Sequence, residues 1–307
     1  MKSYTATKII IYPNVSQQEM LARAMGCSRW WWNYALNLTI TTYKETGKSI
    51  SKTGLNSLLP LLKKEAQTEF LKTDVYSQSL QQVTENLSKA FQNFFEKRAK
   101  FPRFKSYYGK QVVSYPQNVK CLVNKSTLKL PKIGEIKAVY HRELKGVVKT
   151  VTVSRNRAGQ YFASIRLEVD PEIPVTKNGV VTGIDLGIKE FAITYNGSQC
   201  SKYDNPRHTE KHARNLKRKQ QKLARKQSDS NRRKKARLLV AKVHNKIHNT
   251  RHDFLHKLSR KIVDTSETVV VENLNVKGMV RKRCGVAREL GSPRALRRSA
   301  LGSSHTS

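Results

Sequence analysis

Between Arg207 and Arg251 the chain carries 17 Lys or Arg side chains against two acids, Glu210 and Asp229, so this stretch of helical sequence bears +15. Like charges three and four residues apart destabilise an isolated helix, and a phosphate backbone relieves the repulsion. A charge run is ordinarily a solvated face, but this density calls for a polyanionic partner as well. The rest of the chain agrees: 59 Lys plus Arg against 22 Asp plus Glu in 307 residues give +37. That balance excludes most ordinary metabolic enzymes and points to nucleic acid rather than membrane. At 38% apolar and 8% aromatic residues the chain can still build cores, unlike a disordered basic tail, and its length fits two or three domains.

Four cysteines, at 27, 121, 200 and 284, form no Cys-x-x-Cys pair, so no zinc site or redox dithiol is expected and the thiols read as reduced. The N-terminal residues lack the apolar core of a signal peptide, and no apolar run approaches the length of a membrane span. A bacterial-type cytosol is the expected compartment.

Local patterns divide the chain. Thr7–Tyr12 is β-branched and aromatic and closes on Pro13-Asn14, which predicts a strand. Ser16 is a candidate N-cap for a helix to about Lys44. A second helical pattern runs from about Val75 to Lys100, through Leu80, Val83, Leu87, Ala90, Phe91, Phe94 and Phe95, and Leu55, Leu58, Leu59 and Leu62 suggest a shorter helix between. From Gln111 to Val169 the period becomes two: Tyr161, Ala163, Ile165, Leu167 and Val169 alternate with other residues, and Arg155–Gly159 joins them to Val147–Ser154 as a hairpin. Pro171 and Pro174 mark a linker. Val180–Gly187 then reads as a strand buried on both faces, followed by strands at 190–195 and 199–203 around an Asn196-Gly197 turn. A long helical stretch, 208–264, is interrupted at Ser228–Asn231, and a last strand covers Thr268–Glu272.

Asp185 and Glu272 end two apolar strands, where ligands and metals gather in α/β sheets. Taken singly, Asp185 organises the Asp-Leu-Gly turn and Glu272 is a solvated strand end. Taken together they repel unless a cation lies between them, and a divalent metal that activates water at a phosphodiester suits the pair.

These residues carry a resemblance. Gly183–Gly187 with Phe191-Ala192, then Val269–Leu274 and Lys277-Gly278-Met279, resemble the first two RuvC motifs of the TnpB (OrfB) proteins of insertion sequences, RNA-guided DNA nucleases related to type V CRISPR effectors. Upstream, Arg29-Trp30, Asn33–Asn37, Ala90-Phe91, Asn93–Phe95, Pro102–Lys105, Tyr115-Pro116 and Tyr161–Ser164 resemble the same family, so the similarity covers roughly residues 4 to 282. It implies an α+β multidomain fold. Residues 1–15 and 106–172 would form a wedge-like antiparallel β-barrel and 16–105 an inserted helical recognition domain. Residues 179–282 would form an incomplete ribonuclease H-like (RuvC) α/β domain, and 283–307 a divergent tail. The partners implied are a guide RNA, which recognises sequence by base pairing, and double-stranded DNA, in which the protein reads a short flanking motif. Asp185 and Glu272 would be catalytic metal ligands, with Mg²⁺ as cofactor.

The sequence also departs from the family. The four-cysteine zinc ribbon and the final Asp of an Asp-Glu-Asp site are missing from its residues, no lysine lies beyond Lys282, and Arg283, Arg288, Arg294, Arg297 and Arg298 sit in a Gly-, Ser- and Ala-rich ending. A frameshift or premature end is one explanation and a native divergent tail the other. Losing one of three acids weakens a two-metal site, and Asp204, Asp264 and Glu267, expected in a turn or loop, are poor replacements. Weak or absent cleavage is the expectation. The alternatives are a nuclease-dead guided repressor, a non-functional remnant, or, more distantly, a general basic RNA-binding protein.

Binding should survive better than cleavage. Arg214, Lys217, Arg218, Arg225, Arg232, Arg233, Lys234 and Lys235 are the candidate phosphate contacts of the cationic stretch. Arg103 and Lys105 join them from a segment that interleaves basic side chains with Phe104, Tyr107 and Tyr108. Trp30, Trp31 and Trp32 are consecutive on a helix and cannot all face one core; packing between helices and base stacking are both open to them. His244, His248, His252 and His256 form an i, i+4 column that permits metal ligation or a place near phosphate.

Overall fold

In the computed structural model the described residues are 2–170, 179–187 and 189–274. The Pro171 and Pro174 linker, the Lys277-Gly278-Met279 motif, Cys284 and the 283–307 ending lie outside them. The chain divides into two compact units, Met1–Glu172 and Ile173–Ser307.

The first unit begins with β1 (Ser3–Tyr12) and α1 (Val15–Thr46). The cap of α1 is Asn14 rather than Ser16: its Oδ1 accepts from the Gln17 amide at 2.8 Å while Gln17 Oε1 accepts from the Asn14 amide at 3.1 Å. A reciprocal box satisfies two otherwise unpaired amides, and Ser16 falls inside the first turn. Gly47, at φ 68°, ends the helix by donating to the Tyr43 carbonyl. After α2 (Lys52–Leu62) and α3 (Phe70–Thr73) comes α4 (Ser77–Phe95). It stops five residues short of the expected end because Lys97 turns to φ 59° and the amides of Arg98 and Ala99 both donate to Asn93.

Six further strands follow: β2 (Gln111–Tyr115), β3 (Lys120–Leu122), β4 (Thr127–Leu130), β5 (Gly134–Val139), β6 (Val147–Arg155) and β7 (Tyr161–Val169). With β1 they form an antiparallel sheet of order β2-β6-β7-β1-β5-β4-β3. The expected β-barrel is here a curled half-barrel, since the edge strands β2 and β3 are not paired to each other. One edge, β2, is instead covered by α1 and α4, which protects its open backbone groups. The period-two reading of β7 holds: Tyr161, Ala163, Ile165 and Leu167 are buried. Gly146 leads into β6 at φ 108°, where a Cβ would overlap the Glu168 carbonyl. Helices and sheet share one core, in which Trp31 and Leu36 of α1, Leu80 and Leu87 of α4, and Ile9, Ile11, Val151 and Ile165 of the sheet belong to one cluster.

The second unit contains β8 (Val181–Leu186), β9 (Glu190–Tyr195), β10 (Cys200–Asp204), α5 (His208–Ala224), α6 (Asn231–Thr265) and β11 (Thr268–Val271), with strand order β10-β9-β8-β11. Asn196 Oδ1 accepts from the Gln199 amide at 2.7 Å and Gly197 takes φ 91°, which builds the expected β9–β10 turn. The helical stretch breaks where its poor helix formers predict. Asp229 adopts φ 62°, and Ser230 caps α6 by accepting from the Arg233 amide at 3.1 Å.

β8 departs from expectation, because among its residues only Thr182 is buried. Thr182 Oγ1 lies 2.7 Å from Ser266 Oγ at the end of α6. Alternation places Val181, Gly183 and Asp185 on the opposite face, and Val181 is 54% exposed. Among the described residues, then, the strand is covered on one face only.

Candidate functional site

β11 pairs parallel with β8, in the register Thr268↔Val181 to Val271↔Ile184. The ladder stops there; Asp185 is the next residue of β8, and Glu272, expected to end its strand, instead follows the last residue of β11. The parallel register therefore brings both acids to the same end of the β8–β11 ladder. Both are exposed. Neither carboxylate joins an ion pair or accepts a side-chain hydrogen bond among the described residues. In a chain of +37, two unpaired carboxylates at one ladder end leave room for a small cation. Divalent metal fits this donor set, but as half a site: among the described residues no group of three or more His, Cys, Asp or Glu is placed to hold an ion.

The candidate replacements lie elsewhere. Asp264 is in the last turn of α6, not in a loop, and pairs with Arg260 at 2.8 Å. Glu267 accepts from the Gly179 amide at 2.8 Å, tying the start of β8 to the end of α6. Asp204 ends β10, two strands away from β8.

The cationic residues lie on an antiparallel helical hairpin. At one end Arg233 of α6 meets Leu223 of α5, and at the other the Phe254 ring lies 6.0 Å from His208. Leu216, Val240, Val243 and Ile247, with Leu223, fill the seam. At about 100° per residue, Arg214, Arg218 and Arg225 fall within about 40° of one another, opposite Leu216 and Leu223. On α6, Lys235, Lys242 and Lys246 make a similar exposed stripe, within about 40° of one another. Sequence reasoning omitted Lys242 and Lys246, although their spacing from Lys235 by seven and eleven residues marks the same face. Lys217, Arg232 and Lys234 are exposed on the flanks.

Arg233 differs from its neighbours. It lies seven residues before Val240, on the buried side, and its Nη1 donates to the carbonyls of Lys226 at 2.6 Å and Leu223 at 3.3 Å. Its guanidinium closes the last turn of α5 and is already engaged by protein. The positive field is felt by His208, whose pKa is lowered by burial first and then by Lys211 and Arg251. Along α6 the His248 and His252 rings lie 5.6 Å apart at a tilt of 40°, and the His252 and His256 rings meet edge to face at 4.2 Å.

In the first unit, Arg103 and Lys105 are held from below. Trp32 Nε1 donates to the Arg103 carbonyl at 3.0 Å, and Asn33 clasps both backbone groups of Lys105, at 2.9 and 2.7 Å. The Arg103 side chain is exposed. The Lys105 ammonium instead lies 3.6 Å from the Trp32 ring centroid, and burial lowers its pKa to about 8. Trp31 is fully buried and donates to Thr84 Oγ1 at 2.9 Å, while Trp30 stacks on Tyr34 and meets Phe70 edge-on. All three tryptophans therefore pack within the protein.

Residues 164–283 match the OrfB_IS605 family, described as "Probable transposase", and residues 1–48 match its "Helix-turn-helix domain". A protein of Escherichia coli (strain K12) named "Putative RNA-guided DNA endonuclease InsQ" is 32% identical over 95% of this chain and 71% of its own length. The chain belongs to the TnpB (OrfB) transposase family. A second TnpB-like relative, "Putative RNA-guided DNA endonuclease" of Streptomyces pristinaespiralis, is 35% identical over 90% of the chain and 68% of its own length. The fold of this TnpB-family chain is similar to the protein in a Cas12f1–sgRNA–target DNA complex, with a TM-score of 0.51 at 11% identity over 98% of this chain and 86% of that one. In the family's helix-turn-helix region the structure has a strand and one uninterrupted 32-residue helix. Among the described residues no helix is long and apolar enough to cross a membrane.

Proposed function

We propose that this TnpB-family chain binds a structured guide RNA and double-stranded DNA, with target sequence read by base pairing. In this reading the second unit is a ribonuclease H-like (RuvC) domain, and Asp185 and Glu272 are two ligands of a divalent ion, Mg²⁺ by donor type. Residues 1–15 and 106–172 act as the wedge and 16–105 as the recognition domain. The observation that supports the reading is the parallel β8–β11 register, which runs up to Asp185 and Glu272 at one end of the ladder in the unit that also holds the cationic hairpin. When bound, such an ion activates water and stabilises the leaving oxygen of a phosphodiester.

The chain's own residues supply the rest. The exposed stripes of α5 and α6 hold phosphate backbone, and the carboxylates hold the position at which cutting takes place. Two acids alone bind an ion weakly, so cleavage depends on a further ligand from outside the described residues or from another chain. A second reading, guided binding without cutting, is favoured by the lack of a third acid at the pair among the described residues.

The test is purification with RNA expressed from the protein's own locus, followed by a Mg²⁺-dependent cleavage assay on a randomised DNA target library, beside Asp185→Ala. Retained RNA with cutting that disappears in the variant supports the metal site. Retained RNA without cutting supports the second reading, and failure to retain RNA overturns both.

A further inference from the structure

The segment Arg103–Tyr108 presents three aromatic rings to solvent from a backbone that the protein holds still. Phe104 is 57% exposed, Tyr107 69% and Tyr108 66%. Phe104 sits between two anchored residues, because Trp32 holds the Arg103 carbonyl and Asn33 holds both backbone groups of Lys105. The Tyr107 carbonyl accepts from the Gln111 side chain, and Gln111 Oε1 in turn accepts from Arg29 at 3.2 Å. The Arg29 guanidinium lies 5.2 Å from the Tyr107 ring centroid, taking one face of the ring. Tyr107 and Tyr108 meet edge to face at 5.3 Å and 83°.

Large aromatic side chains left in water at fixed positions mark an interaction surface. The charge around them selects the occupant. From Lys97 to Ile133 the sequence contains ten Lys or Arg and no acid, so a second copy of the chain would bring like charge to this surface. A strand of nucleic acid with unpaired bases brings both phosphates and flat π-faces.

We infer that Phe104, Tyr107 and Tyr108 form a stacking platform for unpaired bases of a single-stranded nucleic acid, whose phosphates lie along the neighbouring Arg103 and Lys110. The platform shares with the proposed function the class of partner and rests on that class alone; its surface and its mode of contact are separate. Fixing the rings before binding removes part of the ordering cost of contact.

The experiment measures binding of the full chain to a 15-nucleotide oligothymidylate and to the same strand paired with oligoadenylate. The double variant Phe104→Leu/Tyr107→Leu keeps apolar surface and removes the π-faces. Both positions are exposed, so the fold is expected to survive, with circular dichroism as the check. Single-strand affinity should fall on the order of ten-fold, duplex affinity should stay within about two-fold, and the salt slope should not move. Crosslinks from 4-thiothymidine should map to residues 103–108. Unchanged single-strand affinity, crosslinks elsewhere, or concentration-dependent self-association abolished by the double variant would overturn the inference. Neutralising the α5 stripe separates the two readings: it weakens binding through the salt slope if the proposed function holds, whatever the platform variant does.

Discussion

Replacing Arg214, Arg218 and Arg225 together by glutamine should lower the salt dependence of RNA binding and leave the helical hairpin folded. Arg214 and Arg218 of α5 and Arg225, its C-cap residue, form one exposed stripe opposite Leu216 and Leu223. Each phosphate contact contributes about 0.7 to 0.9 to the slope of log affinity against log salt, so the slope should become shallower by roughly 2 to 3. At about 0.15 M salt the same relation gives an affinity loss on the order of 100-fold. Stability should change by less than about 0.5 kcal/mol per site, because the positions are exposed and glutamine is nearly as good a helix former as arginine. The assay is fluorescence anisotropy with the co-expressed RNA from 50 to 300 mM KCl, read beside thermal unfolding. Arg233→Gln is the contrasting variant. Its guanidinium is engaged by the Leu223 and Lys226 carbonyls, so it should lose about 1 kcal/mol of stability with the slope nearly unchanged. A triple variant with an unaltered slope would refute the assignment of this stripe to phosphate.

Asn33→Ala removes two hydrogen bonds to the Lys105 backbone and should cost about 2 kcal/mol in urea unfolding, with faster hydrogen exchange of the Lys105 amide. Trp31→Ala empties a fully buried site and leaves Thr84 without its indole partner, so a loss of about 3 to 5 kcal/mol is expected; a loss under about 1 kcal/mol would mean the shared core is misplaced. For Lys105 the sign follows from burial, which lowers the folded-state pKa to about 8. The unfolded chain then binds more protons above that value, so stability should rise as pH increases from about 8 towards the ordinary lysine pKa near 10.4. Lys105→Met should abolish that rise in pH-dependent unfolding; an identical pH profile in the variant would show that the amine is fully solvated.

The sequence by itself determined the elements whose physics is local. Strict alternation fixed the buried side of β7, Asn196-Gly197 built a turn from its own side chain and a positive φ, and Ser228–Asn231 broke the cationic helix because these residues compete for the backbone. It also brought Asp185 and Glu272 forward, since each ends an apolar strand. Only the tertiary structure decided which strands are neighbours. β1 enters its sheet between β5 and β7, strands more than 120 residues later, and no local pattern encodes such pairing. Likewise, the parallel register of β8 and β11, separated by the whole helical hairpin, is what brings two acids remote in sequence to one end of a ladder. Within the cationic stretch every arginine looks alike in sequence, yet Arg233 faces inward and Arg232 outward. That distinction depends on which side of α6 meets α5, a property of packing between helices.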